Sequence, residues 1–246
     1  MRFAAIADIH GNSAALRAVL ADIAAQGVTD IVNLGDVVSG PLAARETLAM
    51  LRPLQLPTVR GNHDRYLLDR PVDRMGSWER DIHGELLPDD LAWLAALPPT
   101  LVWRDEVFLC HATPSSDERY WLETVRDDGT VALAPLAQVE QFAAGVTQPL
   151  LLCGHSHLPR LVRLPDGRHL VNPGSVGSPA YRDIAPVSHV VQTGTPHASY
   201  AVLERRGADW QVSFRQVPYD AAPMIALAEA RGRVDWVAAL RSGWLA

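Results

Sequence analysis

Residues 3–12 read FAAIADIHGN, an apolar run that closes abruptly on a carboxylate, an imidazole and a glycine. A short apolar run ended by turn residues is the pattern of a buried strand, here residues 3–7. Ser13 to Ala25 then place Leu16, Val19, Leu20 and Ile23 at helical spacing on one face. The unit repeats. Ile31 to Leu34 reads as a strand ending on Gly35-Asp36, Pro41 suits the first turn of a helix, and residues 43–51 continue that helix. Strands alternating with helices predict an α/β fold.

Beyond Asp64 the pattern loosens. Residues 78–82 and 89–97 read as short helices, the second stopped by Pro98-Pro99, and together they resemble a cap over a sheet. Strands return at 101–103 and 107–110 around Arg104-Asp105-Glu106, at 150–153, and at 161–164 and 169–171 around Pro165-Asp166-Gly167-Arg168. A helix is expected over 136–144 and a last strand pair over 199–205 and 210–217. Helical segments broken near Gly232 follow from Ala221. With no linker or internal repeat, we expect a single domain over 1–246, with a helical cap-like insertion at about 65–99 and a helical tail at about 221–246.

Composition narrows the partners. The 246 residues carry 22 basic and 28 acidic groups, a formal charge of −6, and every basic residue is an arginine. These arginines are scattered, leaving no basic run for a nucleic-acid backbone, so long DNA or RNA is not the expected partner. At 48% hydrophobic and 20% charged residues the chain has an ordinary globular composition. Asp8 and His10 interrupt the first apolar stretch, which therefore reads neither as a signal peptide nor as the ~20 apolar residues of a membrane span. Cys110 and Cys153 lie inside apolar segments and read as buried thiols of a reducing compartment, the cytoplasm. Nothing in the sequence speaks to oligomeric state.

The chemistry is carried by how the strands end. Asp8-Ile9-His10, Gly35-Asp36, Gly61-Asn62-His63-Asp64, His111 and Gly154-His155-Ser156-His157 each close or follow an apolar run. In open α/β sheets ligands bind outside the carboxyl ends of strands, so these residues can meet in one crevice. In extended backbone, residues two apart share a face, so the pairs Asp8/His10 and His155/His157 would each grip one site. Imidazole and carboxylate without thiolate suit Mn, Fe, Co, Ni or Zn better than Mg or Ca. Seven such ligands exceed one tetrahedral ion, which leaves two metals sharing a carboxylate, ~3.5–4 Å apart, the arrangement that activates water and clamps a phosphoryl oxygen. Two divalent cations would leave the pocket net positive inside an acidic protein, which favours a small phosphate ester.

These five blocks, read as D-x-H, GD, GNH[DE], H and GH-x-H, resemble the calcineurin-like metallophosphoesterase family. Leu-Gly-Asp-Val-Val at 34–38 and Asn-Pro-Gly-Ser-Val-Gly at 172–177 look like its small bacterial and archaeal phosphodiesterase branch. The resemblance implies a four-layer α-β-β-α sandwich of two mixed sheets. It implies that Asp8, His10 and His157 hold one metal, that Asn62, His111 and His155 hold a second, and that Asp36 bridges them. His63 would face the substrate and assist the leaving oxygen, with Asp64 orienting its ring. The metals would be two divalent ions, manganese first, with iron, zinc, nickel or cobalt as alternatives.

The expected activity is hydrolysis of a phosphodiester, a small or cyclic nucleotide first, by hydroxide shared between the metals. A phosphomonoesterase of the protein Ser/Thr phosphatase or dinucleoside tetraphosphatase type is the alternative, and a non-catalytic scaffold of the same fold is a third reading. Residues 65–99 and 178–197 are expected to wall the pocket. His83, His169, His189 and His197 are expected at surface or loop positions, and no role is given to Arg182.

Overall fold

The computed structural model describes residues 1–245. The first half runs β1 (Arg2–Ile6), α1 (Ser13–Ala25), β2 (Ile31–Asn33), α2 (Ala44–Leu51), α3 (Asn62–Asp69), α4 (Ser77–His83), α5 (Pro88–Ala96), β3 (Thr100–Trp103) and β4 (Val107–Cys110). Next come β5 (Glu123–Val125), β6 (Val131–Leu133), α6 (Leu136–Ala143), β7 (Leu150–Leu152), β8 (Arg160–Arg163) and β9 (His169–Asn172). The chain then forms β10 (Ala180–Asp183), β11 (His189–Gln192), β12 (Ala198–Arg206), β13 (Asp209–Val217), α7 (Ala222–Ala230) and α8 (Val234–Ser242).

Two mixed sheets result. One has the order β13-β12-β1-β2, with β1 parallel to β2 and antiparallel to β12. The other has the order β3-β4-β7-β9-β8, parallel through β4, β7 and β9, with an antiparallel strand at each edge. The period-two alternation of strands sorts their apolar residues into layers. Phe3, Ala5 and Ala7 face Val107, Leu109, Leu150 and Leu152 between the sheets. Ala4 and Ile6 turn the other way, onto Leu16, Val19 and Ile23 of α1 and Leu48 of α2. On the far side Phe108, Cys110, Leu151 and Cys153 pack against Val139 and Ala143 of α6. Helices, sheet, sheet and helix are thus stacked around a dry central layer, the four-layer α-β-β-α sandwich that the resemblance implies.

The α1 helix begins where its spacing places it, with Asn12 capping it through a bond accepted from the Ala15 N–H. Pro41 does not start α2. That helix opens at Ala44, and Pro41 lies in the preceding turn. Three elements have no counterpart in the sequence reading: α3, the β5–β6 hairpin, and the β10–β11 hairpin within the stretch 178–197. In the tail, Met224 and Ala228 of α7 and Trp236 and Leu240 of α8 pack around Leu42, with Trp78 of α4 against them. The tail is thereby fixed beside the loop that follows β2. Among the described residues no helix is long and apolar enough to cross a membrane.

Candidate metal centre

Parallel β1 and β2 in one sheet, and parallel β4 and β7 in the other, end at the same edge of the sandwich. The loops that follow them are stitched together by backbone bonds: the Ile9 and His10 N–H groups donate to the Asp36 carbonyl at 2.9 and 3.0 Å. The 172–177 stretch closes the arrangement. Ser175 Oγ donates to the Asp8 carbonyl at 2.7 Å and the Gly177 N–H to the same carbonyl at 3.0 Å. This motif therefore holds the Asp8 loop through its backbone.

The loops are conformationally costly. Asp8, His10, Asp36, His155 and His157 all have positive φ, between 50° and 69°, a left-handed conformation that costs roughly 1–2 kcal/mol per side-chain-bearing residue. Such strain persists only where surrounding structure over-determines it, and it concentrates at functional sites. It also corrects the expectation drawn from extended geometry. Asp8 and His10 lie past the end of β1, and the pair His155/His157 does not grip one site: each imidazole joins a different cluster. Gly61 is required here for close approach, since a Cβ on it would collide with the Asp36 carboxylate.

Two groups form. Potential ligand atoms of Asp8, His10 and His157 lie within 4.8 Å of one another, as do those of Asp36, His111 and His155. Asp36 stands between them, its Oδ2 3.2 Å from His111 Nε2 and 3.8 Å from His10 Nε2. Asn62 adjoins the second group, its Oδ1 3.0 Å from His111 Nε2. All seven residues named from the sequence as ligands meet at this edge.

The ring nitrogens turned away from the centre are committed. His10, His111 and His157 donate Nδ1–H to the carbonyls of Ser39, Leu34 and Ser178 at 2.9, 2.7 and 2.7 Å. His155 donates Nε2–H to the Glu118 carbonyl at 2.9 Å. A backbone acceptor on one imidazole nitrogen fixes the tautomer and aims the other lone pair at a cation. The result is that His10 Nε2 and His157 Nε2 face each other at 3.2 Å, two lone pairs with no proton of their own to share. Asp36 Oδ2 is buried and accepts no hydrogen bond. Among the described residues no arginine pairs with Asp8 or Asp36, so the donor set lacks a permanent positive charge and fits metal ions.

Electrostatics divide the imidazoles between neutral and charged forms. Burial drives the His10 imidazole down to about 3 and the His155 imidazole down to about 4, keeping both neutral. At His111 burial is outweighed by the Asp36 and Asp8 carboxylates, which push it up to about 10. Burial also opposes charge on Asp36, yet His111 and His63 hold its carboxyl well below the usual range.

The structure places His63 and Asp64 differently from expectation. Asp64 does not touch the His63 ring. Its carboxylate accepts the N–H groups of Asp36, Val37 and Gly61, each at 2.9 Å, tying the start of α3 to the Asp36 loop. Burial and the nearby Asp36 raise its pKa to about 6. The His63 ring is bonded instead at Nδ1 by Glu79 of α4, and Trp78 stacks on its face with centroids 4.9 Å apart and planes 17° apart. Neither residue carries a sequence signal. An acid in the first turn of a helix reads as a match to the helix dipole, and a tryptophan in an apolar stretch reads as core.

A cavity of about 680 Å³ opens beside Asn62 and His155. Its walls correct the expected ones. Tyr66, Asp183, Ala185 and Pro186 belong to the segments foreseen, but Arg119, Tyr120, Gln138, Gln141 and Phe142 come from the loop before β5 and from α6. His169 and His189 are likewise not surface or loop residues. Both sit buried in strands, and His189 Nε2 is 2.9 Å from the Tyr120 hydroxyl. Arg182 is exposed on β10.

Comparison with known proteins agrees with this geometry. The chain is 28% identical over 244 residues to an uncharacterized protein of Methanocaldococcus jannaschii, covering 88% of this chain and 87% of that one. A metallophosphoesterase from Sphaerobacter thermophilus superposes with a TM-score of 0.73 at 28% identity, over 99% of this chain and 100% of that one. A hypothetical protein from Pyrococcus horikoshii shares the fold, with a TM-score of 0.76 at 20% identity over 100% and 99% of the two chains. The calcineurin-like phosphoesterase superfamily domain matches residues 1–204, so the chain belongs to that superfamily and is a hydrolase acting on phosphoric esters.

Proposed function

We propose that the protein is a dinuclear-metal phosphodiesterase acting on a small diester, a small or cyclic nucleotide first. Asp8, His10 and His157 would hold one divalent ion, Asn62, His111 and His155 the other, and Asp36 would be shared, with manganese as the first metal to try. When bound, such ions neutralise phosphoryl charge and ease deprotonation of water. The chain's own groups do the rest. Asp8 and Asp36 set the charge of the site, backbone carbonyls orient the four imidazoles, and the central layer of the sandwich packs against their backs. His63 is the acid that delivers a proton to the leaving ester oxygen, help worth ~10²–10⁴-fold. Asp64, in place of the ring-orienting role, acts by fixing the loop that carries Asp36.

The observation that carries the reading is Asp36 Oδ2, buried, without a hydrogen bond, and within 4 Å of an imidazole from each group. The preference for a diester rests on the adjoining cavity, whose roughly 680 Å³ lies in the range of small-molecule sites and can take a second ester arm of nucleoside size. Tyr66 and Phe142 offer it aromatic surface, and Gln138 and Gln141 offer hydrogen bonds. A cytoplasmic location is supported by Cys110 and Cys153, both buried and unpaired.

The test is hydrolysis after Mn(II) reconstitution of bis(p-nitrophenyl) phosphate, p-nitrophenyl phosphate and a panel of cyclic nucleotides, with Asp36→Ala in parallel. Diester turnover that disappears in the variant is expected. Faster turnover of the monoester would replace the reading by the phosphatase one, and wild-type protein that binds no metal would leave the scaffold.

A further inference from the structure

Glu79 is 1% exposed, and among the described residues its carboxylate pairs with no arginine. A buried carboxylate in that position is costly unless a charged or hydrogen-bonding partner meets it. The partner is the His63 imidazole, held at Nδ1 by Glu79 Oε1. The neighbouring residue grips the same ring from its face: Trp78 lies nearly parallel to His63, and its edge meets His10 with centroids 4.9 Å apart at 88°. Trp78 is itself pinned, its carbonyl accepting the Gly40 N–H at 2.9 Å and its ring packed on Trp236 at 4.8 Å. Asp64 is unable to compete for the ring, because its carboxylate is taken by three backbone N–H groups.

We propose that Glu79 is a positioning residue: its contact with Nδ1, together with the Trp78 stack, holds the His63 imidazolium with Nδ1–H on the carboxylate and Nε2–H as the group that hands over the proton. The inference rests on the hydrolase reading above and deepens it. In the step it serves, water oxygen bonds to phosphorus as the phosphorus–oxygen bond to the leaving alcohol breaks. The bond's electron pair stays on the leaving oxygen, which takes the Nε2 proton and leaves His63 as the neutral Nδ1–H imidazole, and a proton from the attacking water restores the imidazolium. An imidazole free to flip or change tautomer would present the wrong nitrogen, the loss known for acid–base histidines whose carboxylate partner is removed.

Three variants test this on the intact protein. Glu79→Gln keeps an acceptor without charge, Glu79→Ala removes both, and Glu79→Asp shortens the reach. For Glu79→Ala, kcat on an alkyl diester should fall about 10²-fold, because a poor leaving group needs the proton, while kcat on bis(p-nitrophenyl) phosphate should fall less than about threefold. KM and bound metal should not move, Glu79→Gln should be milder, and Glu79→Asp should recover part of the loss. In ¹⁵N-histidine-labelled protein the His63 Nδ1 proton should be visible at low field in wild type and absent in Glu79→Ala. Equal losses on both esters, or no loss with an unchanged His63 signal, would overturn the proposal. If wild type hydrolyses neither ester, the phosphodiesterase reading fails by itself, and an unaltered Nδ1 proton in Glu79→Ala would then overturn Glu79's hold on the ring independently.

Discussion

Asp8, His10, Asp36, His155 and His157 lie within a few residues of the ends of β1, β2 and β7, whereas Trp78, Glu79, Tyr66 and Phe142 reach the same edge on the helices α3, α4 and α6. The first set is placed by local geometry. Parallel strands deliver their carboxyl ends to one edge, and left-handed residues then turn each side chain inward. The second set is placed by packing between segments far apart in the chain, such as α4 against the loop after β2 and α8. A site built this way keeps its metal chemistry in short motifs and leaves proton handling and ligand shape to surroundings that can vary.

The largest effects should come from the first set. Asp36→Ala removes the carboxylate shared by both groups, so the protein should lose at least one of two bound metals by elemental analysis, and turnover should drop at least ~10³-fold. Full metal content in that variant would break the idea that Asp36 is common to both groups. His63→Ala should separate the two properties, with bound metal retained and kcat on an alkyl diester down about 10²-fold. Wild-type turnover of a poor leaving group by His63→Ala would remove the acid assignment.

The same division explains what could be read in advance. The strands and the α1 helix follow from apolar periodicity, and the seven candidate ligands follow from the polar residues that close or follow apolar runs. That His155 and His157 belong to different groups was not legible from spacing, because their backbone is left-handed where the i, i+2 argument assumes extension. The roles of Asp64 and Glu79 were illegible for another reason. Both are acids in the first turn of a helix, and only tertiary contacts show that one binds backbone and the other a ring. The wall from residues 118–125 and 138–142 is hidden because the short β5–β6 hairpin lacks a strong alternating pattern and α6 reads only as a helix with a buried face.

A smaller effect is expected from the cavity. Phe142 is half-buried, on the side of α6 that reaches both the core and the cavity. Phe142→Ala should raise KM for the preferred diester by about tenfold, the loss of one aromatic contact, while leaving kcat and metal content alone. A fall in kcat with unchanged KM would mean that the helix acts on the strand-end cluster, contradicting the separation of the two regions.

The smallest effect lies away from both. Asp22 on α1 pairs with Arg215 of β13 at 3.0 Å and accepts the Tyr200 hydroxyl of β12 at 2.7 Å, fastening the outer helix to the first sheet. The bond from Arg215 holds the Asp22 carboxyl below its usual range. A carboxylate with a lowered folded pKa adds stability above its unfolded pKa and loses it as pH falls through the folded value. With Asp22 side-chain exposure at 21% and Arg215 at 39%, solvent screening keeps the contribution to about 1 kcal/mol. Asp22→Asn should therefore lower Tm slightly at pH 7, by an amount that shrinks toward zero in acid below pH 4, with kcat and KM unchanged throughout. A change in turnover would show that fastening α1 to the sheet is felt at the strand ends, which in this sandwich are held by the Asp36 carbonyl and the Ser175 hydroxyl instead.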